Sequence, residues 1–453
     1  MKKRIIISIS FISIIMLGLA VFFGYTYMNT KEWANIIYPD IKIENVDVSG
    51  KTFEVAKSMI TQKYGDVIIK KNIIIKAPNE NYKLEYSKLD AKYNINDVVK
   101  QAFDYGKNLN LIDKYKAIKN PKKQQYNLKF VYDSKPVKEF IYTIKKEVER
   151  PSVDGSISLV NGNFQIVPDK KGINLLADEL EASILSKING DVSSEEIVLD
   201  APIEEVLANI TSDKLKTIDA KISSFTTNYG SSDYFRSTNI EIATKSINNK
   251  LLMPGDGFSF NETVGQRTAA RGYEMAPVIM GTKMYSDFGG GICQVSTTLY
   301  NAIIRSNILS MERTQHTLPS HYIGPAMDAT VDWGNLDYKF TNTLSYPIYI
   351  QAYTENKNIY FNVYSNATLN NRKYDLVNEV YDTMEPGVKY IDDPTLTIGE
   401  NVQDQFPSVG IKAKSYKDTY ENGKLIEHKQ ISDDFYRPVD EVIRRGTKNK
   451  PVL

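Results

Sequence analysis

Three consecutive glycines, Gly289, Gly290 and Gly291, run directly into Ile292-Cys293-Gln294-Val295-Ser296-Thr297-Thr298-Leu299-Tyr300-Asn301-Ala302, and Cys293 is the only cysteine among 453 residues. Glycine lets a backbone adopt conformations closed to other residues and approach a ligand closely. The residues after the glycines have helical spacing. Ile292, Val295, Leu299 and Ile303 are three, four and four apart, which is one face of a helix. Cys293 is thereby expected in the first turn, where unpaired backbone N–H groups and the positive end of the helix dipole favour a thiolate. A thiolate is a good nucleophile toward acyl groups. A lone cysteine is more often a small buried hydrophobe. The glycine run, the helix start and the histidines further along at His316 and His321 favour the nucleophile here.

The N-terminus constrains location. Met1-Lys2-Lys3-Arg4 is basic, and Ile5 to Tyr25 is 21 residues without a charge, long enough to cross a bilayer. The basic flank predicts a cytoplasmic N-terminus and an exported remainder. A cleaved signal peptide is the alternative, against which stand the long apolar core and the lack of a clear small-x-small site. A single cysteine cannot form an internal disulfide, so it is not a structural staple. The net charge of +1 gives no reason to expect nucleic acid.

The length is that of about three domains, and the pattern reads as an α+β chain. After a short linker, Ile43 to Val48 alternates like a strand. Thr52 is then placed to cap a helix with Val55, Met59 and Ile60 on its apolar face. A second helix is expected near Pro136 with Val137, Phe140, Ile144 and Val148 inward, and a third carries Leu176, Leu180, Ile184 and Ile188. The strand–Gly–helix order at 43–64 recurs loosely at 164–188, so 41–210 reads as two related halves. Ser237 or Thr238 is expected to cap a helix bearing Ile240, Ala243, Ile247 and Leu251. Asn422-Gly423 is a hairpin signal. The expected divisions are a transmembrane anchor at 1–30, an α+β region at 31–215, a second α+β domain at 216–365 and a small β-rich domain at 366–453.

Several stretches carry family resemblances. Val46-Asp47-Val48-Ser49-Gly50-Lys51-Thr52 and Pro168-Asp169-Lys170-Lys171-Gly172 resemble the peptidoglycan-binding domain that precedes catalytic domains in many Gram-positive wall proteins. A plain spacer is the bland alternative. Pro254-Gly255-Asp256-Gly257-Phe258-Ser259-Phe260-Asn261, Arg267-Thr268, Arg271-Gly272-Tyr273, the Gly-Cys run, His316, Asp328-Ala329-Thr330-Val331 and Asp337-Tyr338-Lys339-Phe340-Thr341-Asn342 occur in order and together resemble the VanW family, over roughly 221–353. The Gly-Cys run matches almost letter for letter. His321 and Pro325-Ala326 depart from the usual pattern. Asp392-Asp393-Pro394 with Gly399, Gly410, Gly423 and Gly446 resembles the small cell-wall domain named for its five glycines.

The VanW resemblance implies an L,D-transpeptidase of peptidoglycan with Cys293 as nucleophile. A non-catalytic wall-binding scaffold and a cysteine hydrolase of stem peptides are the alternatives. A nucleophilic thiol needs a base. His316 matches the family's histidine, and His321 is the other candidate. His428, just after the hairpin turn, is read as a surface residue. A third group should fix the imidazole: Asp328, or else Asp337. Backbone N–H groups of Cys293 and its neighbours Gly290 and Gly291 are expected to form an oxyanion hole, with Gln294 beside them. Arg267 and Arg271 are candidates for stem-peptide carboxylates. One Cys and three scattered His make no zinc pattern, and no Gly-Lys-Ser/Thr succeeds the glycine run, so no phosphate loop forms. No cofactor or metal is expected. The expected partners are peptidoglycan stem peptides, glycan and, through the N-terminal segment, the membrane.

Overall fold

The computed structural model describes residues 2–192, 196–280 and 283–449. By contact the chain divides into two units, Met1–Ser152 with Lys171–Leu207, and Val153–Lys170 with Ala208–Leu453.

The first unit opens with helix α1 (Lys2–Glu32), whose apolar side chains stay exposed from Ile5 to Phe23. Helix α2 (Phe53–Ile60) begins where Thr52 accepts the Val55 N–H, as its sequence predicts. The inward face, however, is Ala56 and Ile60, and Val55 points to solvent. Helix α3 (Ile95–Asp104) shares a core with α2 built from Ile41, Ile43, Val48 and Val99. A second core lies under helices α4 (Lys135–Val148) and α5 (Ala177–Lys187), which bury Val137, Ile144, Leu180 and Ile184. Ile141 is buried on the α4 face too, and Phe140 packs half-buried against the same core. The second core also takes in Ile73, Ile75 and Leu84 from ahead of α3. The strand ahead of α5 in this unit is Gly172–Leu175. The hairpin Ser156–Val160/Asn163–Val167, adjacent in sequence, packs in the other unit, where Phe164 meets the rings of Tyr349 and Tyr364. The expected boundaries at 31 and 215 therefore enclose a stretch that folds elsewhere.

The second unit holds the Gly-Cys run. Its main sheet is antiparallel, in the order β1 (Ala220–Asn228), β4 (Asn358–Ser365), β3 (Ile348–Glu355), β2 (Lys250–Leu252). A two-residue turn, Asn356-Lys357, joins β3 to β4 with both residues at positive φ, the twist that suits a tight hairpin. Helices α6 (Tyr234–Ile247) and α7 (Ile292–Ile304) pack with this sheet in one core that includes Ile240, Ala243, Val295, Leu299, Ile303, Ile350 and Phe361. Asp233 caps α6 by accepting from the Arg236 N–H at 2.7 Å. Ser237 and Thr238 are therefore inside the helix rather than at its cap, and Leu251 lies in β2. A carboxylate beside three orphan N–H groups outcompetes the later hydroxyls as a cap.

Another sheet of this unit, β5 (Arg372–Met384), β6 (Gly410–Glu421) and β7 (Lys424–Tyr436), is antiparallel with β6 in the middle. Asn422 and Gly423, at φ 52 and 76, make the β6–β7 turn. Leu376 of β5 belongs to the same core as α7. Strands Val388–Thr397, Glu441–Lys448 and Asn401–Gln405 form a further small sheet.

Candidate active site

Helix α7 is buried on every side, not on one stripe: Ile292 and each residue from Gln294 to Ile304 are inside. Such a helix must find partners for its polar side chains, because an unsatisfied buried polar group is costly. It does so by gripping its neighbours. Ser296 donates to the Ala329 carbonyl at 2.6 Å, Thr297 accepts the Ala329 N–H at 3.0 Å, and Asn301 donates to the Met327 carbonyl at 2.8 Å. Thr298 pairs with Thr227 of β1 at 2.7 Å. The letters of Gln294-Val295-Ser296-Thr297-Thr298-Leu299-Tyr300-Asn301 thus dock the segment around Asp328 along the helix.

Gly291 stands at the N-cap with φ 102, and a Cβ there would lie 2.9 Å from Arg236 Cγ. Glycine is required on both counts. Cys293 comes next but one, in the first turn, partly open, its Sγ 3.4 Å from the Val331 carbonyl. His316 acts electrostatically on the thiol and the thiol on His316. His316 Nδ1 lies 2.5 Å from Asp328 Oδ2, the same oxygen that accepts the His316 backbone N–H at 2.7 Å. Nδ1 is thereby occupied, and Nε2 has the Tyr322 hydroxyl at 3.5 Å. The three residues form a Cys–His–Asp line.

The electrostatics derive from that line. Burial pushes the Cys293 thiol up, but His316 and the charge of Arg267 bring it below its ordinary value. Burial presses His316 down, and the bond to Asp328 and the charge of Cys293 raise it to about 10. Burial lifts Asp328, while His316, Arg313 and Tyr436 hold it at about 2. The shifts run toward thiolate, imidazolium and carboxylate.

The other expected residues divide. The charge of Arg267 reaches the thiol; its guanidinium lies near the rings of Phe260 and Trp333, with both terminal nitrogens buried and without a hydrogen-bond partner among the described residues. The Tyr273 hydroxyl, also buried and unpartnered, feels the charge of Arg267. Arg271 instead donates to the Gln266 carbonyl at 3.0 Å near the surface. Gln294 is turned inward, donating to Thr227 and to the Asn228 carbonyl and accepting from Arg236. The Gly290 carbonyl accepts from Asn239 at 3.1 Å. Asp337 holds the Ser259 hydroxyl and the Asn261 N–H, which leaves Asp328 as the partner of His316. His321 is exposed, its ring edge-on to Tyr322. His428 lies on the surface, bonded to Asp418 and stacked on Tyr416. Tyr322 is a site residue that sequence reading does not find: its hydroxyl is 3.5 Å from His316 Nε2, and the charge of Cys293 acts on it. Its only sequence signal is its closeness to His321.

Among known proteins, the family described as "VanW like protein" matches residues 235–364. The family described as "Putative peptidoglycan binding domain" matches 82–195, and the G5 domain family matches 377–448. "Uncharacterized protein YoaR" of Bacillus subtilis (strain 168) is 32% identical over 241 residues, covering 53% of this chain and 78% of that one. "Vancomycin B-type resistance protein VanW" of Enterococcus faecalis (strain ATCC 700802 / V583) is 28% identical over 109 residues, 23% of this chain and 40% of that one. Of solved structures, "IgA1 Protease G5 domain structure" aligns over 17% of this chain and 93% of its own at 17% identity, with a TM-score of 0.14. With its Gly-Cys run, its peptidoglycan-binding stretch and its G5 region, this chain belongs to the VanW family and is a cell-wall-associated protein.

Proposed function

We propose that the chain is a peptidoglycan L,D-transpeptidase, and the observation that carries the reading is the Cys293–His316–Asp328 line at the start of a buried helix. The thiolate attacks the carbonyl carbon of the third residue in a donor tetrapeptide stem. Backbone N–H groups at the start of α7 receive the developing oxyanion. The C–N bond breaks as His316 gives its proton to the leaving amine, and D-alanine departs from a thioester. The side-chain amine of a second stem's third residue then attacks the thioester. His316 takes that amine's proton, and the thiolate is regenerated with a crosslink between two third residues. Asp328 keeps the imidazole oriented and does not itself move a proton. Arg267, charged and with terminal nitrogens that lack a hydrogen-bond partner among the described residues, is suited to the terminal carboxylate of the donor.

In this reading α1 anchors the chain in the membrane with its N-terminus in the cytoplasm. The region 31–215 and the β-rich stretch 366–453 hold peptidoglycan, and the domain at 216–365 does the chemistry.

The protein lacking α1, mixed with purified disaccharide-tetrapeptides, is expected to form dimers and to exchange the terminal D-alanine for a labelled D-amino acid, both read by mass spectrometry. Cys293→Ala should do neither. Dimers that persist in Cys293→Ala refute the mechanism. Tripeptide as the sole product makes the protein a hydrolase, and wall binding without turnover makes it a scaffold.

A further inference from the structure

Asp328 is 1% exposed and accepts four hydrogen bonds. His316 occupies Oδ2. Oδ1 receives Arg313 Nη2 at 3.1 Å and the hydroxyl of Tyr436 at 2.5 Å. Tyr436 is the last residue of β7, 108 positions beyond Asp328, and is itself fully buried. Its oxygen accepts the Ala326 N–H at 2.9 Å, so the phenol is pinned on both sides. Arg313 also donates to the Asp328 carbonyl at 2.6 Å and, through Nη1, to Asp434 Oδ2 at 2.5 Å. Asp434 too belongs to β7 and is 5% exposed. The result is a buried row of alternating charge: Asp434, Arg313, Asp328, His316.

We propose that Asp434 and Tyr436, both in the C-terminal sheet, are positioning residues for the His316–Asp328 pair, so that the β-domain completes the active site rather than only holding the wall. The inference rests on the nucleophile reading above. Tyr436 fixes one carboxylate oxygen of Asp328 and thereby aims the other at His316. Asp434 neutralises Arg313, which would otherwise draw on Asp328 and weaken its hold on the imidazolium. Arg313 faces Asp328, Asp434 and the ring of Tyr300, and His316 faces Cys293, Asp328 and Tyr322. Other contacts tie β5 and β6, the other strands of this sheet, to the end of α7. Arg305, at the end of α7, bonds Asp375 at 2.7 Å and the Leu376 carbonyl at 3.2 Å, and Lys417 donates to Asn307 at 2.5 Å.

The test uses two near-isosteric variants of the full chain, Tyr436→Phe and Asp434→Asn, and two readouts that need no substrate. One is the rate of Cys293 alkylation by iodoacetamide at neutral pH. The other is the ring N–H resonance of His316 in a histidine-labelled protein, which has three His and is assigned with His316→Gln. Asp434→Asn should slow alkylation about tenfold, because the uncompensated Arg313, bonded to Asp328, weakens that carboxylate's support of the imidazolium beside the thiolate. Tyr436→Phe should move the downfield N–H resonance upfield or let it exchange away. Asp434→Glu should restore part of the rate. Wild-type rates and an unmoved resonance in folded Tyr436→Phe and Asp434→Asn would overturn the inference and leave the sheet a structural neighbour. An inert wild-type thiol together with a resonance still lost in Tyr436→Phe would retire the nucleophile but keep the coupling.

Discussion

Among single residues, the site depends on which histidine can hold its ring against a carboxylate. His316 has Asp328 at 2.5 Å, while His321 is exposed and has only the edge of Tyr322. His316→Ala should therefore reduce turnover by ~100- to 10,000-fold, the usual cost of losing a general base, while His321→Ala stays near wild type and both keep their circular dichroism. In wild type the thiolate should persist to lower pH than a free cysteine, so alkylation against pH should rise well below ~8.5. In His316→Ala that rise should move upward, since the largest group lowering the thiol is gone. The larger effect appearing in His321→Ala would reverse the assignment. Cys293 and His316 are legible in the sequence because a glycine run, a helix start and a nearby histidine are local signals. Asp328 is preferred to Asp337 there only because it stands nearer His316 and within Asp328-Ala329-Thr330-Val331. Both come after His316, and only folding shows one on the imidazole and the other tied to Ser259 and Asn261. Tyr436 and Asp434 lie beyond its reach, since nothing local marks a residue whose partner is more than a hundred positions away.

Among the helices and strands, periodicity locates α7 and its inward residues but understates its burial. Ser296, Thr297, Thr298 and Asn301 read as a polar face in sequence, yet all are buried and spent on the chain beside them. A helix pattern reports spacing, and it cannot report what the polar face will bind. The same gap explains the caps. Residue type alone puts the start of α6 at Ser237 or Thr238, whereas Asp233 wins with its formal charge. Thr297 offers a direct check on the docking role. Thr297→Val keeps the shape but leaves the buried Ala329 N–H without its acceptor, and should cost about 1–3 kcal/mol of stability. Denaturant unfolding would show it as a lower midpoint, and an unchanged midpoint would mean that Ala329 is held by other contacts.

Across the full chain, the α+β class and the β-rich C-terminal part agree with the sequence reading, and the folding units do not match the divisions drawn from it. The hairpin at 156–167 and the sheet β5–β7 fold with the domain of the Cys-bearing helix. Composition changes along a chain, but contacts close in three dimensions, so a linear boundary misses both. Cys293, a half-buried residue, also exposes the protein to redox chemistry without an exit. An activated thiolate is oxidised to a sulfenic acid that a second cysteine would normally capture as a disulfide. This chain has none to offer. Hydrogen peroxide should therefore carry Cys293 on to the sulfinic and sulfonic acids, seen as two and three added oxygens in the intact mass. A small thiol such as dithiothreitol should rescue the protein only if added before the second oxygen. A stable, fully reversible single-oxygen adduct would contradict this. Lacking an internal resolving partner, the protein would depend on its surroundings for repair.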